Sequence, residues 1–300
     1  MIHKLVDSKP REGKKNSGKA WLLAMNFSEF CDILEDYDGG EQASNQTFHK
    51  RFHGDREFGN NLDASKKLIW KGYEPKEMKN AFEGFETAFE ATSTMVKMDI
   101  EGHDFDVAAI LSGEEETWFK NAPKGSAPSI HIVFSGSANA GVSSMNFYIQ
   151  AAVVARITEE LEQEAIIKVS ASYSAVNCLR DSKASALGIL LAVKDFDEPS
   201  NKKRLGGVAH PSFFRRNVFS LMENPNGVLY SDKDTCPKDG YGQSVESVIS
   251  DEDMSESFGS DFTIRIPSPS SEHFDNIENA VMYCKSVLKD IQAKVSEQAM

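Results

Sequence analysis

The chain has 300 residues, and its 46 acidic against 33 basic side chains give a formal net charge of −13. Its hydrophobic fraction of 40% is enough for a substantial core, which excludes a wholly disordered chain. The acidic balance argues against a protein that coats duplex DNA, and four widely spaced cysteines argue against a disulfide framework or a zinc ribbon.

The N-terminal segment and the apolar runs indicate where the chain is expected to work. The N-terminus lacks the long apolar stretch of a signal peptide, and the longest apolar runs, such as Ala186 to Val193, are too short to cross a bilayer. We therefore expect a cytoplasmic protein without a membrane partner.

The first part of the chain is predicted to be a helical elaboration preceded by an arm. Residues 1–20 carry six bases and two acids, a composition typical of a mobile basic arm. Across residues 21–104 the apolar spacing predicts an α-rich elaboration. Its helices are a short one from the cap Ser28 to Leu34, one over 61–72 and a longer one over 75–98.

The remaining residues, 105–300, alternate strand and helix patterns. The predicted elements follow one another at 129–134, 145–162, 165–172, 186–194, 211–223, 261–266 and 276–298. Strands separated by helices predict βαβ units, so the expected fold class is α/β, with a mostly parallel sheet flanked by helices. We expect Ser129–Phe134 to be a central parallel strand with Ile130, Ile132 and Phe134 buried.

An acidic loop interrupts this core at about 224–260. Between Glu246 and Asp261 it contains six acids and no base. A long loop inside a compact domain is usually either functional or disordered, and the low apolar content favours disorder.

The loop after the strand Ser129–Phe134 is the first candidate for a ligand site, because ligands of open α/β sheets bind beyond the carboxyl ends of strands. The loop resembles the Asp-x-Ser-x-Ser metal loop of von Willebrand factor A domains, with Ser135 at the Asp position and Ser137 and Asn139 at the Ser positions. Ser135 lacks the carboxylate that a hard divalent cation needs, so no metal and no cofactor is expected. Asp195 and Asp197, just after the strand at 186–194, are candidates to supply carboxylates, but we expect them to be acids of a surface loop.

The segment from His210 to Arg216 has two interpretations. In the first, His210 caps a helix, and Arg215 and Arg216 pair with acids of the same chain. In the second, these three side chains form a basic edge that meets a phosphate or an acidic partner.

Two clusters near the N-terminus combine bases with aromatic residues, as the grooves of single-stranded nucleic-acid-binding proteins do. The side chains that would line such a groove are Lys14, Lys15, Lys19, Trp21, Lys50 and Arg51.

The sequence lacks three motifs that would indicate a catalytic function. The chain has no Gly-x-Ser-x-Gly elbow, no His-Glu-x-x-His and no dinucleotide fingerprint. His49 and His53 have no Cys or acidic residue spaced to complete a zinc site. We expect the protein not to be an enzyme, and a metal-dependent hydrolase with a cation near Ser135 is the third hypothesis.

Four short sequence stretches, taken in their order along the chain, carry a family resemblance. They are Phe52–Gly54 with Ile69–Tyr73, Asp106–Glu114, the helix through Leu161–Glu162, and His210–Pro211 with Arg215–Arg216. Their order and spacing resemble an uncharacterised bacteriophage protein family, the domain of unknown function DUF7192. The resemblance implies a phage origin and a von Willebrand A-like core, and it brings no known activity.

These observations predict a non-enzymatic, phage-encoded binding protein that acts in the host cytoplasm through protein partners of phage or host. The alternative is a single-stranded nucleic-acid-binding accessory protein of phage replication or transcription.

Overall fold

The computed structural model describes residues 1–7, 18–35, 75–92, 127–137, 142–176, 186–210, 213–218, 221, 243–245 and 249–298. In chain order these residues form β1 (Ile2–Asp7), β2 (Lys19–Asn26), α1 (Phe27–Glu35), α2 (Lys76–Thr92), β3 (Ser129–Ser135), α3 (Ser144–Leu161), β4 (Ile166–Val176), β5 (Ala186–Lys194), α4 (Lys202–Ala209), a π-helix (Phe214–Val218), β6 (Gln243–Val245), α5 (Asp251–Phe258), β7 (Phe262–Ile266), a 3₁₀ turn (Glu272–Phe274) and α6 (Ile277–Gln298). None of the described helices is both long and apolar enough to span a bilayer.

The predicted strand at Ser129–Phe134 is confirmed as β3. It lies between β4 and β7 and is parallel to both. Ile130, Ile132 and Phe134 are completely buried, because α3 packs on the face of the sheet from which they project.

The sheet is mixed, and the prediction of a mostly parallel, von Willebrand A-like sheet is wrong. Its strand order is β1-β2-β5-β4-β3-β7, with β6 beside the end of β4. The pairs β1–β2, β4–β5 and β4–β6 are antiparallel. Fewer than a dozen residues separate Asp7 from Lys19, or Val176 from Ala186. Parallel neighbours need a crossover of about a dozen residues or more, so these short connections favour antiparallel pairing.

β2 lies mostly within a segment whose apolar spacing predicted helices. Five of its eight residues are buried, four of them in succession, because both faces of the sheet are covered, and a strand buried on both faces loses its alternating pattern. The helix α1 then begins at Phe27, so the predicted cap Ser28 is also wrong. The Asn26 side chain accepts a hydrogen bond from the Glu29 N–H at 2.8 Å, and the Glu29 carboxylate accepts from the Asn26 N–H at 2.9 Å.

Both predicted parts of the chain contribute to one sheet. β1 lies within residues 1–20, and β2 pairs in parallel with β5 of the predicted core. The helix α2 packs against α3 and α6. Part of the predicted acidic loop forms α5. Residues 61–72 lie outside the described residues, and so do His49 and His53.

The two faces of the sheet differ in side-chain size. The face covered by α1, α2, α3, α4 and α6 carries large apolar residues. The opposite face carries small residues on three adjacent strands, namely Ala20, Ala24, Ser170, Ser172, Ser174, Ala186, Gly188 and Ala192. α5 lies against this second face, where Met254 packs on Leu22, Val133 and Leu190.

The sheet curls into a half-barrel around α5. Arg265 on β7 pairs with Asp251 of this helix, and Lys4 on β1 pairs with Glu256 of the same helix at 2.9 Å. β1 and β7 are the two ends of the strand order. A helix is only about 10–12 Å wide, so the sheet must bend to bring both ends against it. The small residues line the concave side, where bending crowds the side chains.

Candidate functional site

The carboxyl ends of β3, β4 and β7 lie together, and we call this border of the sheet the strand-end edge. Ser135, the last residue of β3, stands opposite Ser172 on β4. Two residues later, Ser137 is still part of the same edge. Asn139, the third predicted ligand of this loop, lies outside the described residues.

The loop after β3 is held by hydrogen bonds that prolong the sheet. The Gly136 N–H donates to the Ser172 carbonyl at 2.9 Å, and the Ser174 N–H donates to Ser137 Oγ at 3.0 Å. The Ser268 hydroxyl, beyond the end of β7, donates to the Ser137 carbonyl at 3.0 Å. The Ser137 hydroxyl therefore serves as an acceptor for a backbone N–H group.

Gln150 of α3 ties the ends of β3 and β7 together from the helical side. Its Nε2 atom donates to the Ser135 carbonyl at 2.9 Å and to the Pro267 carbonyl at 2.6 Å. Gln150 is completely buried, so these two bonds are protected from water.

Tyr173 connects this loop with the His210 segment. The Tyr173 hydroxyl donates to the Val208 carbonyl at 2.9 Å, and its ring stacks on Phe214 with centroids 5.3 Å apart. The ring also lies so close to Gly136 that a β-carbon there would be 2.3 Å from Cε1. The structure therefore brings Ser135, Ser137 and the His210 segment to the same edge. Complete burial raises the pKa of the Tyr173 hydroxyl, which stays protonated.

His210 ends α4, and its N–H donates to the Gly206 carbonyl at 3.0 Å. It also begins the next turn, because its carbonyl accepts from the Phe213 N–H at 2.9 Å. The side chain is buried beside Tyr148. Arg215 and Arg216 belong to the π-helix, but the placement of their side chains lies outside what the structure describes. Their internal pairing and their role as a basic edge both stay predictions.

The concave face carries a row of buried polar side chains, of which the sequence predictions included Ser135 alone. His131 Nε2 and Ser170 Oγ are 2.7 Å apart. The hydroxyls of Ser135 and Ser172 are buried and form no hydrogen bond within the described part of the chain. The alternation of serine with apolar residues in KVSASYSAV is the signal that would have predicted a small, polar strand face.

Burial, followed by the charge of Lys168, lowers the pKa of His131 to about 3. The imidazole is therefore neutral at physiological pH. A neutral ring and serine hydroxyls can donate and accept hydrogen bonds, and they offer a bound group no charge.

Asp195 and Asp197 do not reach the strand-end edge. Because β5 runs antiparallel to β4, its carboxyl end lies beside the start of β4, where Asp195 Oδ1 is 2.9 Å from Lys168 Nζ. Burial opposes ionisation of Asp195, but the hydrogen bond from Lys168 holds its pKa below the usual value. Asp197 is exposed to solvent. Among the described residues, no group of three or more His, Cys, Asp or Glu side chains is arranged to hold a metal ion.

Two members of the predicted nucleic-acid groove can be placed. Lys19 forms an ion pair with Asp7, and Trp21 is half-buried against the larger apolar cluster. The other predicted members, Lys14, Lys15, Lys50 and Arg51, lie outside the described ranges.

The fold and this edge define an α/β protein with a curled mixed sheet and a serine-lined concave face. The family model of the domain of unknown function DUF7192 matches residues 14–294, and the chain belongs to this family. No curated protein matches the chain. No solved structure matches it either.

Proposed function

We propose that the chain is a non-enzymatic, phage-encoded binding protein that acts in the host cytoplasm through a protein partner of phage or host. The contact is proposed at the strand-end edge. The observation that carries the proposal is Met145, a methionine that is 38% exposed at this edge.

Met145 lies in the first turn of α3 and is held firmly. The Ser143 hydroxyl caps the helix by accepting from the Met145 N–H at 3.2 Å. Because the cap already fixes the backbone that carries Met145, binding there orders little additional backbone, which favours its use as an interface contact.

The surroundings of Met145 are polar and are tied to the segment after β7. Asn146 Nδ2 donates to the Pro269 carbonyl at 3.2 Å and to Asp275 Oδ1 at 3.3 Å. The exposed polar residues around this junction are Ser143, Ser144, Ser270, Glu272 and Asp275. An apolar centre with a polar rim is the usual arrangement of a protein interface.

The geometry of the serines favours binding over catalysis. Ser135 and Ser137 are 3% and 2% exposed. The Ser137 hydroxyl is engaged with the Ser174 N–H, so it is not a nucleophile that is open to a substrate.

The test is affinity capture from phage-infected cells with a tagged protein, before and after nuclease treatment. Three proteins are compared: the wild type, Met145→Asp, and the control Met282→Asp, which changes a methionine that is 64% exposed on α6. We expect one protein to be retained by the wild type and by the control after nuclease treatment, and to be lost from Met145→Asp.

Two results would contradict the proposal. The first is a captured protein whose retention does not change in Met145→Asp. The second is capture that nuclease abolishes, which would favour the single-stranded nucleic-acid alternative. In that case Arg215→Ala combined with Arg216→Ala should weaken strand binding and lower its salt dependence by roughly 0.7 in log–log slope per lost phosphate contact.

A further inference from the structure

The helix α5 contacts the two ends of the sheet with opposite sides of its surface. Asp251 pairs with Arg265, and Ser255, one turn later, hydrogen-bonds to Thr263 at 2.7 Å. Both partners belong to β7. The remaining charged contacts of α5 come from Asp253 and Glu256, which lie on the half of the helix surface opposite Asp251 because each residue turns the helix by about 100°.

Those remaining contacts reach β1. Lys4 Nζ lies 2.9 Å from Glu256 Oε2 and 3.4 Å from Asp253 Oδ1. The hydrogen bond with Glu256 raises the pKa of Lys4, against a smaller opposing effect of burial. A helix eight residues long therefore joins strands that stand at opposite ends of the strand order.

The apolar contact beneath α5 centres on one side chain. Met254 is the completely buried apolar residue of the helix, and it belongs to one apolar cluster with Leu22, Val133 and Leu190. The Phe258 ring lies over polar neighbours, with Lys168 Nζ 4.0 Å from its centroid and the His131 ring edge-on at 5.1 Å. The charged contacts attach α5 on both sides of this central anchor.

We propose that α5 is a clasp that keeps the sheet curled, so that its attachments to β1 and β7 depend on each other. Weakening the contacts at one end loosens the helix, and the loosened helix then releases the other end. Release of α5 uncovers the concave face over His131 and Ser170. This conformational device is independent of the proposed contact at Met145.

The test is amide hydrogen exchange of the full chain, followed by mass spectrometry. Lys4→Gln removes the charged contacts at β1, and Arg265→Gln removes the ion pair at β7 and leaves the Ser255–Thr263 hydrogen bond in place. The matched control is Lys19→Gln, which breaks the β1–β2 ion pair with Asp7 and leaves α5 untouched. We expect Lys4→Gln to speed exchange about two- to fivefold in α5 and also in β7, and Arg265→Gln to do the same in α5 and β1.

A second variant and a second condition complete the test. Met254→Ala removes the apolar anchor and should speed exchange of both β1 and β7 more than tenfold. Raising the salt concentration should speed exchange of α5 in the wild type and should have little further effect on the Lys4→Gln, Arg265→Gln double variant. The proposal is overturned if each substitution changes only the strand that carries it, or if Lys19→Gln loosens α5 equally.

Discussion

Tyr173 lies directly against Gly136, so that a β-carbon on residue 136 would be 2.3 Å from Cε1 of the ring. This contact is the point at which the loop after β3 meets the aromatic stack that carries the His210 segment. The strand-end edge therefore depends on a residue without a side chain at position 136.

Replacement of Gly136 by alanine should destabilise the protein. The added methyl group must displace a completely buried ring, and overpacking of this kind costs about 1–3 kcal/mol of the free energy of unfolding. Chemical denaturation of Gly136→Ala measures the loss.

The control is Gly84→Ala in α2, where the new methyl group would meet only the Ile277 Cδ1 atom at 3.0 Å. Because alanine favours the helix, the control should change stability by less than about 1 kcal/mol. Equal losses in both variants would contradict the packing argument.

His131 should make stability depend on pH below neutrality. Its pKa is about 3 in the folded chain and 6.5 when unperturbed, so between these values the unfolded chain binds a proton that the folded chain does not. Stability is then complete above about pH 6.5 and falls as the pH drops towards 3, by several kcal/mol for this one group.

The measurement is the free energy of unfolding of the wild type and of His131→Gln across this pH range. We expect the substitution to flatten the pH dependence. The control is His273→Gln, which changes a partly exposed ring stacked on Tyr283. An unchanged slope in His131→Gln would show that the buried imidazole is not the source.

Arg156 should be the most important charged residue of the helical layer. It joins Glu86 of α2, at 3.1 Å, to Glu160 of its own helix, and its guanidinium lies 4.6 Å above the Phe89 ring. Burial raises the pKa of Glu86, so removal of Arg156 leaves a carboxylate that is costly to ionise. Arg156→Leu should lower the free energy of unfolding by about 2–4 kcal/mol.

The control for this variant is Lys79→Gln. Lys79 pairs with Glu83 at 3.7 Å on the exposed side of α2, and exposed pairs contribute only about 0–1 kcal/mol. If Arg156→Leu costs no more than Lys79→Gln, the half-buried Arg156–Glu86 pair has no special role.

Magnesium should leave the melting temperature almost unchanged. Ser135 and Ser137 provide hydroxyl groups where a hard cation needs carboxylates, and antiparallel pairing keeps Asp195 at the other end of the sheet. A ligand that binds the folded state adds about 2.7 kcal/mol at a hundredfold excess over Kd. A saturable rise in melting temperature during a magnesium titration would contradict this prediction and would support the hypothesis of a metal-dependent hydrolase.

The sequence by itself determined the elements whose apolar pattern has a clear period. β3 and α3 follow from alternation and helical spacing, and the closing helix α6 begins one residue after its predicted start. β2 was not predicted, because burial on both faces removes the alternation on which a strand prediction depends. The predicted strands 165–172 and 186–194 are 13 residues apart, which is long enough for a parallel crossover. In the structure β4 continues to Val176, so only nine residues remain before β5, and the two strands pair antiparallel.

Tertiary structure alone decided how the sheet bends and which side chains meet. Ser135 and Ser172 are neighbours only because β3 and β4 pair in parallel with one particular register. Lys4 and Arg265 contact one helix only because the sheet curls. Both relationships join residues that are far apart in the chain, and a local pattern of apolar and polar residues holds no information about such distances. Local periodicity specifies a residue's face, whereas pairing and curvature specify its partner.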